Sequence, residues 1–386
     1  MAELTVADVL AALDTRYPPA SAADWDAVGL VCGDPGDRVT AVRFAVDPVV
    51  AVADEAIADG VDLLVTHHPL FLRPVNGVPT TDPRGLVAHR LLRAGVGLVV
   101  AHTNADMARP GVSDALAAAV GLAGDVTPLE PLPGPALDVL AVYVPRTAAE
   151  GLRAALAAAG AGDLGDYSDA SFSVDGTGRF RPGPGAHAAA GEVGTLAAED
   201  ETRVEVVLPP TRRAGVLAAM RAAHPYEEVA FNLLEMVRSP GRTGVGRVGQ
   251  LPAALPLHAF ADRVAAALPS TAAGIRYAGD PDRPIRRVAV SGGSGDSLLA
   301  AAAAAGADVF ITADLRHHPA SGFVQPTSPG RDRPALVEAT HWASEWPWLP
   351  VAARLLADDL RAAGRPVPRI DVSALVTDPW TGTAGR

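Results

Sequence analysis

The sequence predicts an α/β protein whose two-lobed core is discontinuous in the chain and carries an inserted α+β domain. Short apolar strands alternate with amphipathic helices over residues 1–127 and again over 245–386, which is typical of parallel sheets with crossover helices. The texture changes near Thr127, where a proline-rich stretch over 128–135 is typical of a linker. Residues 128–244 then follow the order strand, helix, strand, strand, helix, strand, which is that of a ferredoxin-like domain.

The first half of the core opens with a predicted helix over 5–17. Thr5 is suited to be its N-cap, and Asp8 lies three residues later, a spacing that closes the first turn with hydrogen bonds. The next elements follow from alternating or continuous apolar runs bounded by glycine and proline. We predict strands at 31–35, 39–46, 63–66 and 97–101, and helices at 49–59 and 86–94.

The same patterns place the elements of the insert and of the second half of the core. In the insert we predict strands at 137–144, 202–208 and 229–236, helices at 148–159 and 213–223, and a glycine- and serine-rich hairpin at 165–191. In the second half we predict strands at 287–291, 309–313 and 335–339, and helices at 256–268, at 297–305 and from His341 onward. The tail from Thr377 is rich in glycine, threonine and proline, which predicts a frayed end.

Composition excludes several classes of function. The 386 residues carry a formal net charge of -12 without a block of lysine or arginine, which argues against a nucleic-acid partner held by phosphate neutralisation. Cys32 is the sole cysteine, so an intrachain disulfide and a thiolate metal cluster are excluded. Any metal must be held by imidazole and carboxylate groups. The chain has no signal-peptide pattern and no apolar run of membrane-spanning length, which predicts a cytoplasmic protein without a membrane partner.

Two adjacent histidines, His67 and His68, follow the predicted strand at 63–66. The carboxyl end of a parallel strand is where α/β sheets bind ligands. Neighbouring strand side chains point to opposite faces, so both imidazoles reach one site only if the backbone turns there. Pro69 favours that turn, because proline cannot continue a paired central strand. The alternative is one core histidine beside one exposed histidine.

Two further groups of polar residues follow predicted strands. One group contains His102 and Asp106. The other contains His341 and Glu345, whose four-residue spacing puts both side chains on one face of a helix. The alternative interpretation is that Asp106 caps a turn and that His341 and Glu345 form a solvated helix pair.

The three groups together offer a metal site without thiolates. The candidate metal ligands are His67, His68, Asp106, His341 and Glu345. Five ligands are too many for one open four-coordinate zinc site and suit two metal ions bridged by a carboxylate. His102 is a candidate catalytic residue for proton transfer beside the metals. The predicted chemistry is hydrolysis by water that two divalent ions activate, with Zn, Fe, Mn, Co and Ni as the candidate cofactors.

Five motifs identify a family when their order and context are compared with known proteins. They are Thr66-His-His-Pro-Leu70, His102-Thr-Asn-Ala-Asp106, Gly244-Val-Gly-Arg-Val-Gly249, Val309-Phe-Ile-Thr-Ala-Asp314 and His341-Trp-Ala-Ser-Glu345. Over residues 4–356 the chain resembles the Nif-three-like family, whose members are named GTP cyclohydrolase 1 type 2 homologues. The resemblance includes the insert, through Asp166-Tyr-Ser-Asp-Ala-Ser-Phe172 and His224-Pro-Tyr-Glu-Glu228.

The resemblance implies a dinuclear metal centre between two α/β lobes and a ring-shaped homohexamer whose sites face an inner cavity. Matching motif to motif, it implies the same five ligands that the residues themselves indicate. The family name implies attack on the guanine C8 of GTP, and a nucleotide or phosphoester substrate would use the same centre. The insert resembles the PII/CutA-like folds, which favours a role in assembly or regulation.

Some residues depart from the family pattern. Ala27 stands where the family usually has asparagine, and Ala313 stands where it usually has glycine. A second histidine pair, His317 and His318, replaces a usual Lys-Tyr-His, and we interpret it as loop or second-shell. Arg73, Arg109 and Arg316 follow the site motifs and are candidates for attracting a phosphate.

Two interpretations remain open at this stage. The glycine-rich segment 291–295 fits a tight turn or an anion site, because it follows a strand and opens a helix. Gly244 to Gly249 is interpreted as structural. The alternative to a hydrolase is a non-enzymatic, metal-binding regulatory hexamer with a ligand-sensing insert. An accessible pocket beside an open coordination position distinguishes the enzyme from a closed structural site.

Overall fold

The computed structural model describes residues 3–325 and 333–384. The chain divides into two compact units, Met1–Leu132 with Arg242–Arg386, and Pro133–Gly241. The sequence places these divisions a few residues away, at 127 and 245. Within the described ranges, no helix combines the length and the apolar character needed to cross a membrane.

The first unit contains two sheets, and the first of them has five strands. In spatial order they are β1 (Gly29–Cys32), β4 (Gly97–Val100), β3 (Leu63–Thr66), β2 (Ala41–Ala45) and β15 (Arg369–Val372). All neighbouring pairs are parallel except β1 with β4. The carboxyl ends of β3 and β4 therefore meet at one edge, where His67 and His102 follow them. Strand β15 is not among the sequence predictions.

The second sheet of this unit has six strands. In spatial order they are β11 (Arg276–Ala278), β14 (Ala335–Glu338), β13 (Val309–Ala313), β12 (Pro284–Ser294), β10 (Pro240–Pro256) and β5 (Ala123–Pro133). The three central strands β12, β13 and β14 are parallel. Their apolar side chains are fully buried because helices cover both faces of such a sheet.

Ten helices are described in the first unit. They are α1 (Val6–Arg16), α2 (Val50–Ala58), α3 (Pro83–Ala94), α4 (Thr103–Met107), α5 (Val112–Ala119), α8 (Leu257–Ala267), α9 (Leu299–Ala304), α10 (His317–Val324), α11 (His341–Glu345) and α12 (Trp348–Ala362). The predicted start of α1 is confirmed, because Thr5 and Asp8 exchange the two hydrogen bonds of a capping box. Helix α12 contacts α1, α5 and β2, and one hydrophobic core joins these elements to both sheets.

Trp348 is the largest fully buried side chain of this core. Its indole N–H donates to the Tyr17 hydroxyl at 3.2 Å, and its ring centroid lies 5.4 Å from that of His67. Packing behind His67 limits the rotamers open to that imidazole. The core thereby orients a residue at the sheet edge.

The proline-rich stretch at 128–135 contains the boundary between the two units, but it is ordered as a strand and not as the linker that its composition predicts. Most of it belongs to β5, the edge strand that pairs with β10. An edge strand tolerates proline because the missing N–H faces away from the ladder. The ladder continues to its end, where the Gly134 N–H donates to the Ser239 carbonyl at 2.8 Å.

The glycine motif at 244–249 is structural, as the sequence predicts. It lies in β10, and its Arg247 is completely buried. Gly244 approaches the backbone of Glu130 so closely that a β-carbon would lie 2.2 Å from the Glu130 carbonyl oxygen. The guanidinium of Arg247 forms an ion pair with Asp114 at 2.7 Å. This segment ties strands and a helix together instead of binding a ligand.

The second unit forms one antiparallel sheet with two helices. Its elements in chain order are β6 (Asp138–Pro145), α6 (Ala149–Ala158), β7 (Ser171–Phe180), β8 (Ala197–Leu208), α7 (Arg213–Ala223) and β9 (Phe231–Glu235). The spatial order of the strands is β7-β8-β6-β9. Leu140, Leu152 and Val216 lie in its separate hydrophobic core. This unit therefore has its own source of stability.

The prediction of a frayed tail from Thr377 is wrong for its first two residues, which are held by the rest of the chain, while 379–384 are exposed. The Thr377 hydroxyl donates a hydrogen bond to Asp47, and Asp378 is buried. The sequence signal for fraying was composition alone. Tertiary contacts override it here.

Removing residues 136–237 and closing β5 to β10 with a Gly-Ser turn should leave a folded core that binds metal like the full chain. All five candidate ligands lie outside the deleted segment. The Gly134–Ser239 hydrogen bond gives the new hairpin a starting point. Elemental analysis and circular dichroism of both proteins measure the result. A folded deletion variant that no longer binds metal would show that the insert builds the site.

Candidate metal centre

The backbone turns immediately after β3, which brings His67 and His68 to the same side. The Thr66 hydroxyl donates to the His68 carbonyl at 2.9 Å and closes this turn. His67 is completely buried and His68 is partly exposed, but their ring centroids are only 5.2 Å apart. The alternative of one core histidine and one exposed histidine therefore describes how buried the two side chains are. It does not describe where their rings point, since both reach the same site.

The other candidate ligands come from two short helices. Asp106 lies on α4, directly after β4, and α11 carries His341 and Glu345 one turn apart after β14. Glu345 is buried, whereas Asp106 and His341 are partly exposed. A parallel strand followed at once by a helix turn positions a side chain at the sheet edge without a flexible loop.

Glu345 lies at the centre of the group. Its Oε1 is 3.4 Å from Nε2 of His67 and 3.0 Å from Nε2 of His341, and its Oε2 is 3.0 Å from Nε2 of His68. Nε2 of His68 and Nε2 of His341 are 3.2 Å apart. Asp106 Oδ1 lies 3.8 Å from Nε2 of His67. The structure thus brings all five predicted ligands together.

The remaining ring nitrogens are all engaged elsewhere. The Nδ1 contacts are His67 with the Ala101 carbonyl at 2.9 Å, His68 with Asp47 at 2.6 Å, His102 with Asp26 at 2.8 Å and His341 with Asp314 at 2.6 Å. A carbonyl or an ionised carboxylate only accepts, so each Nδ1–H donates. Each Nε2 then carries a lone pair in the neutral ring. Carboxylates and carbonyls in this position are the usual partners of metal-binding histidines.

The donor set fits metal ions. His67 Nε2 and Glu345 Oε2 are buried atoms without a hydrogen-bond partner, which is costly unless a cation binds them. Once His68 and His341 lose their Nε2 protons, their lone pairs would face each other across 3.2 Å, an arrangement that a bound cation would stabilise. Donor atoms bound at about 2.0 Å to a tetrahedral metal lie roughly 3.3 Å apart. The separations in the group match that value.

The electrostatics of the group also favour cations. Although burial opposes ionisation, His68, His341 and His67 hold the pKa of Glu345 well below its usual value. Burial works against a charged imidazole too, but Glu345 and Asp47 raise the pKa of His68 to about 10. Glu345 and Asp314 likewise raise the pKa of His341 to about 11. Without metal, the carboxylates would retain protons on these rings.

His102 lies beside the group. Its ligand nitrogen is within 4.8 Å of those of His67 and His68. Burial raises the pKa of Asp26, but hydrogen bonds from His102 and Thr103 outweigh it and the net pKa is lowered. An ionised Asp26 fixes the tautomer of His102 and leaves its Nε2 free to exchange a proton.

Sequence reasoning missed the three carboxylates that orient the imidazoles, Asp26, Asp47 and Asp314. Two of them were detectable, since Asp47 follows β2 and Asp314 follows β13 at the same sheet edges as the ligands. Asp314 has a positive φ of 53°, which is uncommon for a residue other than glycine. His317 and His318 are exposed at the start of α10 and not in a loop, and neither belongs to the group.

The glycine-rich segment at 291–295 touches the centre from behind. A β-carbon on Gly293 would lie 2.5 Å from Glu345 Oε1 and 3.1 Å from His341 Nε2. The Gly293 N–H donates to the Ser344 hydroxyl at 2.9 Å, and the Gly295 N–H donates to the Ala313 carbonyl. These two N–H donors are occupied and not free to bind an anion. The segment is instead a place where the backbone packs closely against Glu345 and His341.

Replacing Gly293 with alanine should weaken metal binding by at least about 10-fold, the effect typical of disturbed outer contacts of a ligand. The methyl group would push Glu345 away, and φ is +68° at this residue. Gly60→Ala is the matched control, because its φ is +62° and no atom lies within 4 Å of the added carbon. Zinc titrations against a chelator compare the two variants. Equal affinities would contradict this role of Gly293.

A cleft of about 870 Å³ opens beside the centre and is lined by His68, His102 and His341. In the described ranges, Arg276 is the one arginine that lines this cleft, and it pairs with Glu338 at 2.7 Å. The three arginines predicted to attract phosphate, Arg73, Arg109 and Arg316, do not line it. Arg316 instead pairs with Asp296.

Known proteins resemble this chain over nearly its whole length. A family model described as Duf34/NIF3 (NGG1p interacting factor 3) matches residues 4–378. A Mycobacterium tuberculosis protein named GTP cyclohydrolase 1 type 2 homolog is 52% identical over 376 residues, covering 97% of this chain and 96% of that protein. The solved structure of a Bacillus cereus protein related to NIF3 is 32% identical with a TM-score of 0.73, covering 99% and 100% of the two chains.

A second solved structure, Staphylococcus aureus protein SA1388, is 25% identical with a TM-score of 0.82, again covering 99% of this chain and 100% of that one. These findings confirm the resemblance that the five motifs carry. The family model and the level of identity lead to the same assignment. The chain belongs to the Duf34/NIF3 family.

Proposed function

We propose that this protein binds two divalent metal ions and is a metal-dependent hydrolase of a nucleotide or phosphoester. The observation that carries the proposal is the convergence of the Nε2 atoms of His67, His68 and His341 on Glu345, while every Nδ1 is held by an acceptor. Zinc, iron, manganese, cobalt and nickel suit such imidazole and carboxylate donors. The names of the relatives make GTP the first nucleotide to test.

One set of donors is compact, since the ligand atoms of His68, His341 and Glu345 lie within 4.8 Å of one another. We place a second ion at His67, whose Nε2 lies 3.8 Å from Asp106 and 3.4 Å from Glu345. His67, Asp106 and Glu345 would hold one ion, and His68, His341 and Glu345 would hold the other. Two bound ions would supply the positive charge that activates water and stabilises negative charge in the transition state.

The accessibility of the centre supports an enzyme over a closed structural site. His68 and His341 line a cleft whose volume lies within the range of small-molecule sites. A structural metal site is usually saturated by protein ligands and closed to solvent. The cleft gives a substrate direct access to two of the candidate ligands.

His102 is the residue that we assign to proton transfer. Its Nδ1–H donates to Asp26, so its Nε2 can take a proton at the cleft surface and return it. Asp26 also accepts hydrogen bonds from the backbone N–H and the hydroxyl of Thr103, at 3.0 and 2.5 Å. These contacts fix the carboxylate, which then stabilises the charged imidazole that forms.

The test is a hydrolysis screen of metal-reconstituted protein against nucleotides, GTP first, and against phosphoesters. His68→Ala should lose both metal and activity, because it removes a ligand. His102→Gln should keep its metal content and lose activity by about 10²-fold or more, the usual contribution of a general acid or base. Metal-loaded protein without activity towards any of these compounds would favour the regulatory alternative.

We propose in addition that the unit Pro133–Gly241 is a ferredoxin-like domain. Its support is the order of its elements, β6-α6-β7-β8-α7-β9, and the antiparallel pairing of β6 with both β8 and β9. Two helices that pack on the same core fit this arrangement.

A further inference from the structure

The chain segment 377–383 forms a wall of the cleft beside the metal centre. It is anchored before it reaches the cleft, where the Ser373 N–H donates to the Phe44 carbonyl at 2.8 Å. The Thr377 hydroxyl then donates to Oδ2 of Asp47, whose Oδ1 accepts from His68. One carboxylate therefore holds both this wall and a candidate metal ligand.

Trp380 lies in this wall and is 68% exposed. Its backbone N–H donates to the buried Asp378 carboxylate at 3.1 Å, so the segment is fixed on both sides of Pro379. In the described part of the chain, no aromatic ring pairs with its indole. A large aromatic side chain held at a cleft surface without a partner is suited to stack on a ligand ring.

The charges of the cleft point in the same direction. Among the described residues, its lining contains four carboxylates, Asp47, Asp314, Glu338 and Asp378, and a single guanidinium, that of Arg276. Arg276 is already paired with Glu338. A phosphate would therefore gain little from the protein side chains themselves. Beyond the charge that bound metal ions would supply, binding energy has to come from an uncharged contact, and a planar ring is the group that Trp380 accommodates.

We infer that Trp380 is a specificity-determining residue and that the substrate carries a planar heteroaromatic ring, as in a nucleotide, which stacks on its indole. The inference rests on the proposed function, because it selects among the substrates named there. Base-free phosphoesters lack the ring and should bind weakly. Thr377 is a positioning residue, since it holds the segment that carries Trp380.

Equilibrium binding to zinc-loaded protein tests the inference separately from turnover. The probes are the four common 5′-mononucleotides and ribose 5-phosphate. Trp380→Ala should lower the affinity for the nucleotides by about 10-fold, as expected for loss of one stacking contact. The affinity for ribose 5-phosphate should not change. Trp380→Phe should restore most of the affinity. Tyr167→Ala is the matched control, because Tyr167 is exposed and lies in the second unit.

A second variant pair tests the position of the wall. Thr377→Val should reproduce the selective loss of nucleotide affinity with metal content unchanged, and Thr377→Ser, which keeps the hydroxyl, should not. Nucleotides that do not bind, or that bind Trp380→Ala as tightly as the unmodified protein, would overturn the inference. Selective nucleotide binding through Trp380 without hydrolysis would support it and would contradict the hydrolase.

Discussion

Replacing Glu345 with glutamine should reduce the metal content of the reconstituted protein from two divalent ions per chain to one or none. Glu345 is the carboxylate that lies within 3.4 Å of three imidazole nitrogens. An amide has the same shape but lacks the negative charge that two cations share. Mutating a residue that only hydrogen-bonds to a metal ligand typically lowers metal affinity by about 10–100-fold. Loss of a ligand shared by two ions should therefore lower it by at least about 100-fold. Elemental analysis after dialysis measures the content.

Glu338→Gln is the matched control for this experiment. This substitution also removes one negative charge from the lining of the cleft. Glu338 pairs with Arg276 and is not a candidate metal ligand. The metal content of the variant should stay close to two ions per chain. A single ion or none in the unmodified protein after reconstitution would contradict the dinuclear proposal.

The same experiment has a pH signature. In the absence of metal the pKa of His68 is raised to about 10 and that of His341 to about 11, so both rings hold a proton at pH 8. Although burial opposes it, Glu345 and Asp106 raise the pKa of His67 as well. A metal must take the Nε2 lone pairs, so zinc uptake at pH 8 should release at least about two protons per chain. An indicator dye in weak buffer measures them. His68→Ala should release fewer, whereas equal release would show that the protons come from elsewhere.

The sequence predicted the candidate ligands because each follows a strand whose apolar run is visible locally. The strand at 309–313 and the helix at 213–223 agree with β13 and α7 at both ends. β13 is a continuous apolar run that is buried throughout, and α7 buries the apolar residues of one face. His67 and His68 required one more inference, that Pro69 forces a turn. The Thr66 hydroxyl closes that turn.

The sequence failed where the outcome depends on tertiary neighbours. Residues 128–133 have the composition of a linker. They form an edge strand because they pair with β10. Thr377, at the start of the tail, is held by Asp47, which lies far away in the chain. Strand β15 pairs in parallel with β2 for the same reason. No local pattern records which distant element supplies a hydrogen-bond partner.

Arg247 presents the strongest case of a buried charge outside the metal centre. Its guanidinium donates to Asp114 at 2.8 and 2.7 Å, and to the carbonyls of Ala108, Gly244 and Gly246 at 2.5, 2.7 and 2.7 Å. The side chain is fully buried. Of these acceptors, Asp114 also accepts from the Gly111 N–H at 2.8 Å. Ala108 directly follows α4, which carries Asp106.

Arg247→Ala should lower the free energy of unfolding by about 3–5 kcal/mol, because it removes the ion-pair partner of Asp114 and the guanidinium that donates to three carbonyls. Chemical denaturation of the metal-free protein measures the loss. Arg247→Lys should recover only part of it, since an ammonium group cannot supply the bidentate fork that Asp114 accepts. Arg316→Ala is the matched control, as its ion pair with Asp296 is largely exposed on the arginine side and should contribute less than about 1 kcal/mol.

A double-mutant cycle separates the ion pair from the carbonyl contacts. If the pair dominates, Asp114→Ala in the Arg247→Ala background should destabilise much less than it does alone, because the carboxylate is already unpaired. If the two losses of stability are additive, the carbonyl contacts of Arg247 stabilise β10 independently of the ion pair with Asp114. If Arg247→Ala and Arg316→Ala were equally stable, neither the ion pair nor the carbonyl contacts of Arg247 would stabilise the fold. Water would then replace the guanidinium without a loss of stability.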